Sequence, residues 1–284
     1  MRRLSGTPFL ALSFLAGLVC LLGSLAPAQT ASEKSQTSNE SVDPAFEVAT
    51  IRPSHPTGMD WGLGTKGNHF WAHDATVVDL ISFAYGLHAK QIVGGPSWFR
   101  TERYDVEGVP NFEGRPLRAQ LETMLRKLLT DRFQLQVHAE KQQLSVYVLT
   151  VASGGVKVHK SDAPPDAPSG YGFPVVVPVT QMKVMHMTMA AFISALQRTV
   201  LDKPVVDETG LRDRYDFVLQ WTPDESQFIP LQGTGVHVPA ASGDANAPPG
   251  LFTAIQNQLG LKLEAMKSMA DVIIIDRVER PSAN

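Results

Sequence analysis

His69 and His73 stand four residues apart, the spacing that sets two ligands on one helix face, so a divalent metal is the first chemistry to weigh. Phe70 and Trp71 separate them in a stretch that reads as a strand, where residues four apart lie two pleats away. No H-E-x-x-H glutamate accompanies them either. No metal and no cofactor are therefore expected. Ser97, in Gly94-Gly95-Pro96-Ser97-Trp98, lacks the second glycine of a nucleophile elbow and follows a proline where the strained turn needs a free amide. Gly94-Gly95 has no Lys-Ser/Thr after it and forms no phosphate loop. Asp105, Asp216, Glu102 and Glu107 are carboxylates at recurring strand positions, which a repeated structural role explains more simply than a catalytic pair. The expectation is a non-catalytic binding or sensory module. The alternative is a hydrolase whose site assembles only in the fold, from His69, His73, Asp105 and Glu107. Trp98 and Phe99, after a compulsory turn, are either core plugs or anchors for a partner, and Phe228 and Ile229 are the matching candidates in a later apolar patch.

The elements that position these residues recur. Thr76, Leu80, Ile81 and Ala84 open a helix, Ile92-Val93 makes a short strand and Arg103-Tyr104-Asp105-Val106 begins another; Thr188, Phe192, Ile193 and Leu196, Val205-Val206 and Arg214-Tyr215-Asp216-Phe217 repeat the series about 112 residues later. After each tyrosine strand come a helix (Leu117–Thr130; Leu251–Leu259) and two apolar strands (Phe133–Val137 and Leu144–Val151; Leu261–Leu263 and Val272–Ile275). The reading is an α+β protein of two tandem βαββαββ units, each laying two helices on one face of a small mixed sheet. The first spans 46–159, the second 173–281, and 160–172 links them. An insertion at 222–250, rich in proline and glycine, serves as a mobile cover over a sheet edge or as a segment that adds a strand to a protein partner. Pro56 to Gly67, with four glycines, reads as a loop.

Met1–Ala28 has the three parts of an export signal: Arg2-Arg3, an apolar run and Ala26-Pro27-Ala28. Cleavage there is expected, with an uncleaved anchor as the alternative; 29–45 reads as a disordered spacer. The signal holds the one cysteine, so the exported chain has no disulfide or thiol nucleophile, and removing two arginines takes the formal charge from −3 to −5. A weakly acidic protein without a basic block is no candidate for nucleic acid. The expected setting is periplasmic or extracellular, with no membrane span after cleavage and a periplasmic or cell-surface protein as partner.

FEVATIRP, IVGGPSWF, ERYDVEG, LLTDRFQLQVH, VVDETGLRDRYDFVLQW and LFTAIQNQLGLKLEA together resemble a soil-associated family of secreted proteins of unknown function found mainly in acidobacteria. The resemblance runs from Phe46 to Pro281 and implies no chemistry. Members joined to membrane sensor peptidases imply a sensory or interaction role. The helix before Gly260-Leu261, with the strand ending Ile273-Ile274-Ile275, is also similar to the short N-terminal domain of secretins and TonB-dependent receptors, which binds other proteins.

Overall fold

Strand β1 (Phe46–Pro53) alternates until proline removes its next donor, and only Ile51 of its inward residues is fully buried. After it come β2 (Gly62–Lys66) and β3 (His69–Thr76), joined by a turn at Gly67, whose φ of 66° suits glycine. The computed structural model describes residues 43–55, 61–172, 175–176, 179–224, 226–228 and 247–281. The stretch expected to be an export signal, the expected spacer as far as residue 42 and most of the expected insertion, Ile229 included, lie outside the described residues.

Helix α1 (Val77–Tyr85) starts where Thr76 and Asp79 satisfy each other's backbone: Thr76 Oγ1 accepts from the Asp79 amide at 3.1 Å, and Asp79 Oδ2 from the Thr76 amide at 2.9 Å. Gly86, at φ 68°, ends it. Short β4 (Ile92–Gly94) leads to a one-turn helix α2 (Trp98–Thr101), then β5 (Arg103–Pro110) and α3 (Arg118–Phe133). The sheet order is β1-β5-β3-β2. Phe70, Ala72 and Val106 point to one face, where Leu80, Ile81, Leu125 and Phe133 of the helices close a first core.

The second half builds on β10 (Val179–Thr188), α4 (Met189–Thr199), β11 (Val205–Asp207), β12 (Arg214–Trp221) and α5 (Leu251–Ala254), which runs into one π-helical turn, Ile255–Leu259. Thr188 Oγ1 caps α4 through the Ala191 amide at 3.2 Å. The stretch expected to be a linker contributes β7 (His159–Lys160) and β8 (Gly170–Gly172) to a sheet of order β7-β12-β10-β8, with β9 (Val175–Val176) also on β10. Phe192, Leu196, Trp221, Leu251 and Ile255 fill a second core.

The expected strand pairs at the end of each half are single long strands. β6 (Gln136–Val151) and β13 (Leu261–Arg277) run antiparallel, in register from Leu261 opposite Val151 to Ile275 opposite Val137. Ala139–Gln143, which reads as a connection, is polar because both its faces meet solvent, not because the chain turns. Phe133 belongs to the last turn of α3, which ends when Gln134 takes φ 51°. The sheets are also not apportioned one to each half. β4 lies parallel to β13 and β11 parallel to β6, giving a middle sheet β11-β6-β13-β4 with strands from both. Ile273 and Ile275 thereby seal the first core, and Tyr147 and Leu149 the second.

One local device occurs in both outer sheets. The β3/β5 register breaks between Ala72 and Ala75, and the β10/β12 register between Val184 and Met187. Asp74 and His186 sit in these bulges, each at φ 50°. Asp105 Oδ1 accepts from the Asp74 amide at 3.0 Å and Asp216 Oδ1 from the His186 amide at 2.6 Å. Arg103 and Arg214 donate to the carbonyls of the same two residues, at 2.7 and 3.1 Å.

Candidate functional site

The face of the first sheet turned away from the helices is where potentially reactive side chains meet. Pairing sets Thr50 opposite Glu107, Glu107 opposite Trp71 and Trp71 opposite Gly64, in one row across four strands. On either side of it lie His69 opposite Lys66 and His73 opposite Gly62. The stretch 62–66 is thus a strand and not part of a loop. Its glycines are needed there: a Cβ on Gly62 would stand 2.8 Å from the Trp71 ring, and one on Gly64 3.3 Å. The indole therefore lies close against the backbone of β2. The His73 ring stacks on it, with centroids 5.1 Å apart and planes at 29°.

Around this ring the sheet bounds an open cavity of about 500 Å³, lined by Val48, Thr50, Lys66, His69, Trp71, His73, Glu107 and Val109. The charges are balanced and wet: Arg52 stands 3.9 Å from Glu107, and both side chains are more than half exposed. Thr50 Oγ1 is buried and has no hydrogen-bond partner among the described residues.

The four suspects for a hydrolase do share this face, yet the geometry gives them little to do together. Asp105 stands 3.9 Å from His73 Nδ1, but its Oδ1 already holds the bulge amide. His69 and His73 on one strand are separated by roughly 13 Å of rise, so they cannot close on one ion, and no cluster of three metal-ligating side chains occurs among the described residues. Glu102 is held by Arg280 at 2.6 Å and by the Tyr104 hydroxyl at 3.0 Å; the Arg280 bond, with Tyr104's help, lowers its pKa. Burial, and then the Glu102 carboxylate, push Tyr104 up to about 12. Asp216 mirrors Asp105 in its bulge, and its pKa is lowered by hydrogen bonds from Ser161 and from the His186 amide.

Gly94 and Gly95 have φ of 83° and 78°, and a Cβ on Gly95 would be 3.0 Å from the Phe99 ring, so this pair serves a close turn. Ser97 opens α2 without a capping bond from its side chain. Of the expected binding aromatics, Phe99 is fully buried in the first core, and Trp98 is half-buried beneath the Arg280 guanidinium at 5.0 Å. Phe228 is buried against Trp221, ring planes 7° apart, and its amide bonds the Val200 carbonyl at 2.9 Å. Neither Phe99 nor Phe228 offers its ring to a partner. The ends of the insertion are tied, Thr222 Oγ1 donating to the Pro248 carbonyl at 2.6 Å.

Trp71, Lys66 and Thr50 escaped a reading by motif because no two of them are neighbours in a recognisable pattern. A signal was present in Gly62-x-Gly64 ahead of Phe70-Trp71, two gaps spaced at the strand period beside a large ring. No described helix is long and apolar enough to cross a membrane.

Helices laid on small sheets, with a middle sheet drawn from both halves, define an α+β protein. The chain belongs to the family described as Protein of unknown function (DUF3738), whose family model matches residues 78–278. No curated protein and no solved structure matches the chain.

Proposed function

We propose that this chain is an extracytoplasmic, non-catalytic binding module whose ligand face is the outer side of the first sheet, centred on Trp71. The observation that carries the reading is the indole laid on two glycines inside a cavity of about 500 Å³, rimmed by charges of both signs. An aromatic platform with adaptable polar neighbours recognises a partner, whereas catalysis needs a nucleophile and base held at bonding distance. Asp105, the carboxylate nearest a histidine here, is already committed to the backbone. The export signal read at Met1–Ala28 and the resemblance to secreted soil-associated proteins support a ligand outside the cytoplasm, with a periplasmic or surface protein as its class.

The two halves are read as a tandem duplication, with 160–172 as the seam between units. Support comes from matching bulges, Arg-x-Asp clamps and threonine caps at offsets of 111 or 112, and from the reciprocal placing of β4 and β11 in the middle sheet. In this reading the site belongs to one copy only.

The test is capture from an envelope extract by wild type, Trp71→Ala and Lys183→Ala, the last altering the matching position on the second sheet. Capture lost only in Trp71→Ala supports the face; equal capture by both variants sinks it. Turnover of nitrophenyl esters, glycosides or anilides that falls on replacing His69, His73 or Glu107 would move the reading to a hydrolase.

A further inference from the structure

The Trp71 indole is fixed against β2 and beside His73. An added Cβ would stand 2.8 Å from its ring at Gly62 and 3.5 Å from its Nε1 at Gly64, and the His73 ring stacks on it. What remains of the ring bounds the cavity of about 500 Å³, together with the apolar side chains of Val48 and Val109.

The polar groups around this plate are idle. Lys66, His69 and the Trp71 Nε1 make no side-chain hydrogen bond or ion pair with another described residue, and Glu107 has only the Arg52 contact at 3.9 Å. Elsewhere on the surface exposed charges are closely paired, as Lys141 is with Asp271 at 2.8 Å. Thr50 Oγ1 is buried without a partner, so turning about the Cα–Cβ bond to face the cavity breaks no hydrogen bond. Donors and acceptors thus surround an apolar ring, and the ammonium of Lys66 is offset by the carboxylate of Glu107.

Those features select among ligands. A strongly charged one gains little where the lining charges cancel. A peptide laid on this face finds β5 and β3 already paired on both sides, so its amides would go largely unmatched. A pyranose has an apolar C–H face for the indole and a rim of hydroxyls, each able to donate and to accept. We propose that the part of the extracytoplasmic partner taken by this cavity is a neutral saccharide, one ring stacked on Trp71 and its hydroxyls bonded to Glu107, Lys66, His69 and Thr50. This rests on the reading of the Trp71 face as the ligand face and narrows it. The second sheet, with Lys183 at the matching position and Val218 in place of Glu107, has neither plate nor carboxylate and takes no sugar.

The test repeats capture from an envelope extract by the full exported chain, with the extract left intact, oxidised by periodate to cleave sugar diols, or digested with protease. Wild type is expected to capture material from the intact extract and carbohydrate from the digested one, and nothing from the oxidised one. Trp71→Ala should capture from none. The carbohydrate recovered is then titrated by calorimetry. Glu107→Ala should weaken its binding about tenfold through loss of a charge-assisted hydrogen bond, and Thr50→Val about three- to tenfold. Thr50→Val should also melt no lower than wild type, because the hydroxyl it removes has no partner in the fold, a combination that a merely structural threonine does not give. Lys183→Ala should bind as wild type. Capture that survives periodate, or that protease abolishes, overturns the saccharide; where such capture still depends on Trp71, the ligand face stands and takes a polypeptide. Unchanged binding in both Glu107→Ala and Thr50→Val overturns the saccharide as well. Equal capture by Trp71→Ala, or none by wild type, overturns both readings.

Discussion

The outer faces of the two flanking sheets use the same frame and carry different surfaces. Each has a central strand with a bulge held by an Arg-x-Asp clamp, and each has a glycine-x-glycine strand beside it: Gly62 and Gly64 opposite His73 and Trp71, Gly170 and Gly172 opposite Met185 and Lys183. On the first face the glycine gap is filled by the Trp71 ring. On the second, a Cβ on Gly170 or Gly172 would meet nothing within 4 Å. Across the row, Glu107 becomes Val218, 43 % exposed, and Thr50 has no equivalent because β7 is only two residues long. Backbone geometry is therefore conserved between regions where side-chain chemistry is not. A carboxylate such as Asp105 that recurs at both faces belongs to the frame, and a residue such as Trp71 that does not recur belongs to the surface.

That contrast can be broken at several strengths. The largest effects should be indifferent to it: Leu125→Ala and Ile255→Ala, each fully buried in its own core, should lower unfolding free energy by about 2–5 kcal/mol. A loss confined to one of them, by chemical denaturation, would mean that the two cores are not equally integral to the fold.

His88 should separate the halves by acid. It is buried, its Nδ1 accepts from the Lys90 amide at 3.0 Å, and burial followed by the Lys90 charge lowers its pKa from 6.5 to about 4. Between those values the unfolded chain holds more protons than the fold, so stability is complete above pH 6.5 and is lost as pH falls toward 4, by about 3 kcal/mol. The position 112 residues on is Val200, which cannot titrate. His88→Gln should flatten the pH dependence of the melting temperature in that window; an unchanged slope would assign the acid sensitivity elsewhere.

Asp105→Ala and Asp216→Ala should each cost about 1–3 kcal/mol, because each strands a bulge amide. Matched losses mark a shared frame, and a large loss at one alone would undo the equivalence. The smallest shift is expected from Trp71→Ala and Lys183→Ala, within about 1 kcal/mol of wild type at these partly exposed positions. The two should differ in binding while resembling each other in stability.

What the sequence disclosed followed from locality. Thr76 with Asp79 writes out a helix start within four residues, and the alternation of Arg103-Tyr104-Asp105-Val106 writes out a strand. The long ribbon was hidden because Ala139–Gln143 has no apolar residue larger than Ala139, and its strand geometry comes from pairing with Met269–Ile273 more than a hundred residues away. The face around Trp71 was hidden for the same reason. His69 and His73 were visible as a pair, but that they flank a ring lying on glycines depends on the β2/β3 register, which no spacing within one strand specifies. Phe228 opens the insertion's apolar patch, and only the stacking on Trp221 shows that the second core claims it.

The crossing of the short strands bears on how the chain is made. Ile273 and Ile275, which close the first core, come 140 and 142 residues after Phe133 in the chain. During synthesis the first half can cap its helices and pair its own sheet, but it cannot finish burying Phe99 and Phe133 until the long strand of the second half has left the ribosome. Non-local pairing of this kind is slow to form. A first half so arranged stays pliable until the second half is made, and the two lock together late.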